Sequence, residues 1–193
     1  MSGGQKCLDL GIVGLGECGG NLAVEFTRLG YKAVAVNTSH TDLRALSLDP
    51  RKRIYIGYEG RDGAGQDMAL GQRSLEASSD IIVEAVGTQL EGCKHLLLCA
   101  GLGGGTGSNI AVLANILARL DIPISALASL PKDHESSIAK INAVNAINLF
   151  RNSDVASIIL VDNEKILRQY RSESLTAFYS SANQAAVERL HEM

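Results

Sequence analysis

The chain has 193 residues, 46% hydrophobic and 20% charged, with a formal net charge of −3. That length holds one sizeable core, and the mild acidity gives no electrostatic case for nucleic acid as a partner. No apolar run approaches the roughly 20 residues of a membrane span, and the segment from Met1 to Lys6 lacks the apolar centre of a signal peptide, so the cytoplasm is the expected location.

Apolar runs separated by glycine and polar clusters predict alternating strands and helices. Residues 8–13 read as a strand and 20–29 as a helix. Residues 33–36 read as a strand, 42–47 as a short helix, 53–56 as a strand and 57–65 as a loop. Residues 67–90 read as one long helix with a possible break at Gly71, followed by a strand at 96–100 and a helix at 110–117. A strand at 122–128, a helix at 135–150 and a strand at 156–161 come next, then helices at 164–170 and 174–191. Strands alternating with helices imply a Rossmann-like three-layer α/β domain, a parallel sheet covered on both faces. The chain shows no internal repeat, low-complexity segment or linker, so residues 1–193 are expected to form a single domain. The four cysteines, Cys7, Cys18, Cys93 and Cys99, form no C-x-x-C pair and do not cluster with the four histidines. Metal spacing is therefore missing, and Cys93 and Cys99, in or beside an apolar strand, read as buried reduced thiols.

Two glycine-rich loops stand between a strand and a helix. Gly14-Leu15-Gly16-Glu17-Cys18-Gly19 fits G-x-G-x-x-G, the dinucleotide fingerprint. That fingerprint calls for an acid about 20 residues later, at the end of the second strand, to hold a ribose. Here the strand ends Ala35-Val36-Asn37-Thr38; Asn37 can still bind a ribose, but the acid is missing. The second loop, Gly103-Gly104-Gly105-Thr106-Gly107-Ser108, is the more informative. Glycines there let backbone N–H groups converge into an anion nest, and the helix that follows adds the positive end of its dipole. The hydroxyls of Thr106 and Ser108 add donors or approach a phosphate-bound cation. No Gly-Lys-Ser/Thr follows, so the loop is not a Walker A motif.

The stretch from Ala100 to Ser108 resembles the signature loop of the tubulin/FtsZ family of GTPases, and the resemblance extends over nearly the whole chain. The segment from Gly14 to Asn21 resembles that family's first nucleotide loop, with Gly16, Glu17, Cys18, Gly19, Gly20 and Asn21 as its candidate binding residues. Cys18 resembles the tubulin version of that loop, and Asn37-Thr38 resembles the Asn-Thr-Asp turn without its Asp. Gly63-Ala64-Gly65 resembles the loop that approaches the γ-phosphate, and Glu135, four residues after Pro131, the ribose-binding acid. Asn163 resembles the residue that reads the guanine edge and Phe178 the aromatic that stacks on the base. Plainer readings compete: Glu135 as a first-turn acid, Asn163 as a helix cap, Phe178 as a core residue. The resemblance implies GTP or GDP with Mg²⁺, held mainly by phosphate oxygens and water. It also implies a partner subunit in a filament system of the prokaryotic cytoskeletal or cell-division type.

Several positions depart from the family pattern. Ala182 replaces an acid or Asn that meets guanine, with Asn183 beside it. Ala139 replaces an Arg that reaches the γ-phosphate, with Lys140 beside it, and the signature's final Gly is Asn109. Family members continue through a central helix into an acid-bearing loop and a second domain, whereas this sequence ends at Met193, within the expected helix. Nucleotide binding with slow or assembly-dependent hydrolysis is therefore expected, and no catalytic residue is assigned. Glu17, Asp62 and Asp67 are the loop acids nearest the phosphates. Two other classes stay open: a nicotinamide-dinucleotide protein of Rossmann type, and a regulatory or assembly module that binds nucleotide without hydrolysing it.

Overall fold

The computed structural model describes residues 9–153, 155–162 and 188. Six strands form one sheet, all parallel: β1 (Leu10–Leu15), β2 (Lys32–Asn37), β3 (Arg53–Tyr55), β4 (His95–Gly101), β5 (Ile124–Leu130) and β6 (Ser157–Asp162). Their order is β3-β2-β1-β4-β5-β6. The helices are α1 (Gly16–Arg28), α2 (His40–Ala45), α3 (Met68–Ala77), α4 (Ser79–Gln89), α5 (Ile110–Leu117) and α6 (Ser137–Leu149).

Successive strand residues face opposite layers, as the pleat requires. Val13, Leu15, Leu96 and Leu98 pack with Ile82 and Val86 of α4 and with Ile110 and Leu113 of α5. Ile12, Leu97 and Cys99 pack instead with Leu22, Ala23 and Phe26 of α1. Val24 of α1 joins Leu43 of α2 and Leu46 in a third cluster. The expected three layers are those observed, and Cys93 and Cys99 are buried free thiols. Because every strand points the same way, the loops that follow β1 to β5 gather at one edge of the sheet. No helix among the described residues is long and apolar enough to cross a membrane.

Of the boundaries that differ from the sequence expectation, three have a distinct local cause. Helix α1 begins at Gly16, not residue 20, so the glycine loop is itself the first turn of the helix. The helix expected over 67–90 is two helices that meet at Ser78, not one interrupted at Gly71. Ser78 ends α3 and starts α4, its φ of −106° and ψ of 12° departing from the helical values. Gly71 lies inside α3, where a Cβ would strike the Gly105 carbonyl; the glycine serves a close approach rather than a break. The helix expected at 42–47 starts at His40, because the Ser39 hydroxyl accepts the Asp42 N–H as its N-cap. The helices expected over 164–170 and 174–191, with Asn163, Phe178 and Ala182, lie outside the described residues, Glu188 excepted.

The contact of α1 with β4 depends on the missing side chain of Gly19: a Cβ there would strike the Cys99 carbonyl. Gly19→Ala gains about 1 kcal/mol of helix propensity yet forces backbone apart, and should lower stability by about 1–3 kcal/mol net. Gly87→Ala in α4 is the control, since its Cβ would meet only the Leu120 side chain, at 3.3 Å. Urea unfolding should rank Gly19→Ala well below Gly87→Ala.

Candidate phosphate-binding cleft

A cleft of about 880 Å³ opens at the carboxyl edge of the sheet. Its floor is the start of α1. The preceding residue, Leu15, has no side chain able to cap, so the first-turn N–H groups keep no partner within the helix. Gly16 has φ +73°, a left-handed conformation that costs glycine little, and this turns the chain from β1 into α1. A Cβ on Gly16 would stand 3.2 Å from the Gly107 nitrogen, so the first turn of α1 abuts the loop after β4. The backbones of the two segments thus border one space.

The loops are tied together by Thr38, which is buried at the end of β2. Its Oγ1 lies 2.7 Å from Thr106 Oγ1 and accepts the Ala64 N–H at 3.0 Å. Its carbonyl accepts the Gly63 N–H at 2.9 Å. The Gly65 carbonyl in turn accepts the Gly105 N–H at 2.6 Å. From the other side, Asn142 of α6 donates to the carbonyls of Gln66 and Gly103, at 2.9 and 3.1 Å, and Ser136 donates to the Gln66 side chain. The segment from Gly63 to Gln66 is thereby pinned between β2, the loop after β4, and α6.

Most residues singled out in the sequence line this cleft: Gly16, Glu17, Cys18, Asn21, Asn37, Gly63, Ala64, Gly65, Gly103, Gly104, Gly105, Thr106, Gly107 and Glu135. Gly19 and Ser108 do not reach it. Gly19 is covered by β4, and Ser108 is fully buried with its Oγ unpartnered, so it offers the cleft no hydroxyl. The Thr106 hydroxyl lies within hydrogen-bond distance of the Thr38 hydroxyl. Gly105 also differs from its expected part. Its N–H is used within the protein, and a Cβ there would press on the Asp67 backbone instead of the open cleft.

The acids sort by their partners. Asp67 is the N-cap of α3, its Oδ1 accepting the Leu70 N–H. Asp62 accepts the His40 N–H and the Thr41 hydroxyl, bonds that hold its carboxyl below the ordinary carboxylate range, the His40 amide foremost. Both therefore anchor loops. Glu135 Oε1 accepts the Lys132 N–H at 2.9 Å, and its other oxygen lies towards Gly103. Asn37 donates to Asp42 at 3.2 Å. Cys18 sits 3.3 Å from Ser129 Oγ, and burial pushes its thiol up, so it is neutral. Among the described residues the charged ones lining the cleft are Glu17, Glu25, Asp42, Glu135 and Arg28, and Arg28 is paired with Glu25 at 2.7 Å. The described side chains are mostly acidic, so an anion beside them depends on backbone amides and a counter-cation. Among the described residues no group of three acids, cysteines or histidines is placed to hold a metal by itself.

Sequence reasoning missed Asn109 and Asn142, buried amides that bind loop carbonyls. Their signal was an Asn at the start of one apolar helical stretch and inside another, which stays buried only when paired.

Thr38→Val keeps the shape and removes the shared hydroxyl, which leaves the buried Ala64 N–H unpaired. A cost of about 1–3 kcal/mol follows, read as a lower urea midpoint and faster hydrogen exchange at Ala64. Unchanged exchange there would show that Thr38 does not hold the loop.

The family model for the tubulin/FtsZ GTPase domain matches residues 9–171. The tubulin-like protein CetZ of Pyrococcus abyssi is 33% identical over 188 residues, covering 93% of this chain and 50% of that protein. Two solved structures from Haloferax volcanii superpose with a TM-score of 0.85 at 29% identity: CetZ1 as a GDP-bound monomer and CetZ2 as a GTPγS-bound protofilament. They match over 93% and 95% of this chain and over 58% and 57% of theirs, so the chain spans about half the length of the relatives it matches. The strand order alone is shared with dinucleotide-binding folds; the loop after β4 and the sequence match decide between them. The chain belongs to the tubulin/FtsZ family, through its GTPase domain.

Proposed function

We propose that this chain is a nucleotide-binding domain that takes GTP and GDP with Mg²⁺ and works in a cytoplasmic filament system of the cytoskeletal or cell-division type. The observation that carries the proposal is the convergence of the uncapped first turn of α1 with the loop Gly103–Gly107 in one cleft. Backbone donors there suit phosphate oxygens. The residues that would hold the phosphates are Gly16, Glu17 and Cys18 through their amides, with Gly103, Gly104, Thr106 and Gly107 opposite. Glu135 is proposed for the ribose, and Asn163 and Phe178 for the base. CetZ1 carries GDP and CetZ2 carries GTPγS in a protofilament, which supports both the base and the assembly.

The acidic lining gives Mg²⁺ a definite part. Glu17, Asp42 and Glu135 repel a triphosphate, and a cation on the phosphate oxygens offsets that repulsion. Calorimetry should therefore give GDP binding with ADP at least tenfold weaker, since lost hydrogen bonds to a base edge cost about 1–3 kcal/mol. EDTA should weaken GTP more than GDP. Equal affinity for GDP and ADP would remove the guanine assignment and leave a general phosphate site.

Hydrolysis is proposed to be slow and to depend on assembly. Asp62 and Asp67 are committed as caps, which leaves Glu17 as the cleft acid among the three loop candidates. Positioning an attacking water is most of the catalytic task in phosphoryl transfer. Phosphate release with GTP in excess should rise more steeply than linearly with protein concentration. Rapid release in simple proportion to concentration would show that one chain positions the water unaided.

A further inference from the structure

Asn109 stands where the family signature has its final glycine, and it is fully buried. The chain enters α5 through a 3₁₀ turn over Gly107–Asn109, in which the Asn109 N–H goes to the Thr106 carbonyl at 3.1 Å. A 3₁₀ bond reaches back three residues rather than four, so it leaves the Gly105 carbonyl without the partner an α-turn would supply. The side chain of the same residue takes that carbonyl: Asn109 Nδ2 donates to Gly105 O at 2.7 Å. Its second hydrogen goes to Met68 O, at the start of α3, at 2.9 Å. Two carbonyl oxygens fix which end of the amide is nitrogen. Gly71 makes room for the arrangement. A Cβ there would strike the Gly105 carbonyl and stand 2.9 Å from Nδ2. The cost is visible too, because Asn109 Oδ1 is buried with no hydrogen-bond partner.

In a trans peptide the C=O and the following N–H point in opposite directions, and no described peptide is cis. The Gly105 carbonyl is held towards α3, so the Thr106 N–H of the same peptide points away from α3. Gly105 and Thr106 line the cleft and Asn109 does not. We propose that Asn109 is a positioning residue for phosphate: it clamps the Gly105–Thr106 peptide so that the Thr106 N–H is presented to a phosphate oxygen, and it couples that peptide to α3. The inference rests on the nucleotide reading above.

The test compares the affinities of the unmodified chain, Asn109→Asp, Asn109→Ala and Gly71→Ala for GDP and for guanosine, which carries no phosphate. Asn109→Asp keeps the shape but replaces the donor with an acceptor facing two carbonyls. GDP binding should fall about tenfold or more, the size of one lost hydrogen bond to a charged group, while weak guanosine binding stays unchanged by saturation-transfer NMR. Gly71→Ala, outside the cleft and better suited to a helix, should show the same phosphate-selective loss. If Asn109→Asp does not fold, Asn109→Ala and Gly71→Ala carry the comparison. Unchanged GDP affinity in the folded variants overturns the positioning role, as do losses equal for GDP and guanosine, which would mark a merely structural one. An unmodified chain that binds GDP no better than guanosine would overturn the phosphate site itself, and the inference with it.

Discussion

One buried hydroxyl, that of Thr38, joins segments 26 and 68 residues away along the chain. A parallel sheet brings the loops to one edge but does not hold them to one another, because each loop is fixed only where it leaves its strand. The three-centre contact of Thr38 Oγ1, Thr106 Oγ1 and the Ala64 N–H supplies that hold. It sits where water is excluded, so each bond is stronger and each missing partner dearer than at a surface. The geometry of the cleft therefore depends on a residue whose own hydroxyl is turned to its neighbours.

The cleft also shows a division among backbone amides. Gly63, Ala64 and Gly105 spend their N–H groups on Thr38 and Gly65. The first turn of α1 does not spend its amides on a side-chain cap. The glycines divide in the same way. Gly14, Gly19 and Gly105 would each bring a Cβ against backbone, so they are small for the sake of packing. Gly104 has only the Gly65 carbonyl near its missing side chain, at 3.7 Å. A glycine-rich motif thus mixes residues that bring two backbones together with residues that leave a face open.

Much of this was legible in the sequence, for identifiable reasons. Continuous apolar runs such as Leu96 to Ala100 report burial on both faces, and the two glycine loops report strand-to-helix turns, so the layers and the position of the cleft followed. The start of α1 was misplaced because Gly16 to Gly20 is poor in helix formers; tertiary packing against β4, which requires small residues, overrides that propensity. The break at Ser78 was missed because Ser79 and Asp80 continue a plausible helix, and only the paired caps reveal the junction. Ser108 was misjudged because a hydroxyl in a motif gives no sign of which way it points. The hydrogen bonds of Thr38, Asn109 and Asn142 depend on partners far along the chain, and no local pattern encodes them.

Two departures from the family pattern are explained by local geometry rather than by proximity in sequence. Lys140 follows Ala139, where the family's Arg would be, but neighbours on a helix are turned about 100° apart. Ala139 is buried, 3.3 Å from where a Cβ on Gly103 would be, while Lys140 is exposed with its Nζ on the Asp133 carbonyl. The adjacent cation therefore does not stand in for the missing one. The acid missing after Asn37-Thr38 has the opposite outcome. Ser39 occupies its place, but Ser39 caps α2, and the first turn of that helix carries Asp42 back onto the Asn37 amide and into the cleft lining. One helical turn restores a carboxylate beside Asn37, whereas a single step along α6 removes a cation from reach. Whether a displaced residue keeps its place in the site thus depends on the helical phase at which it was displaced.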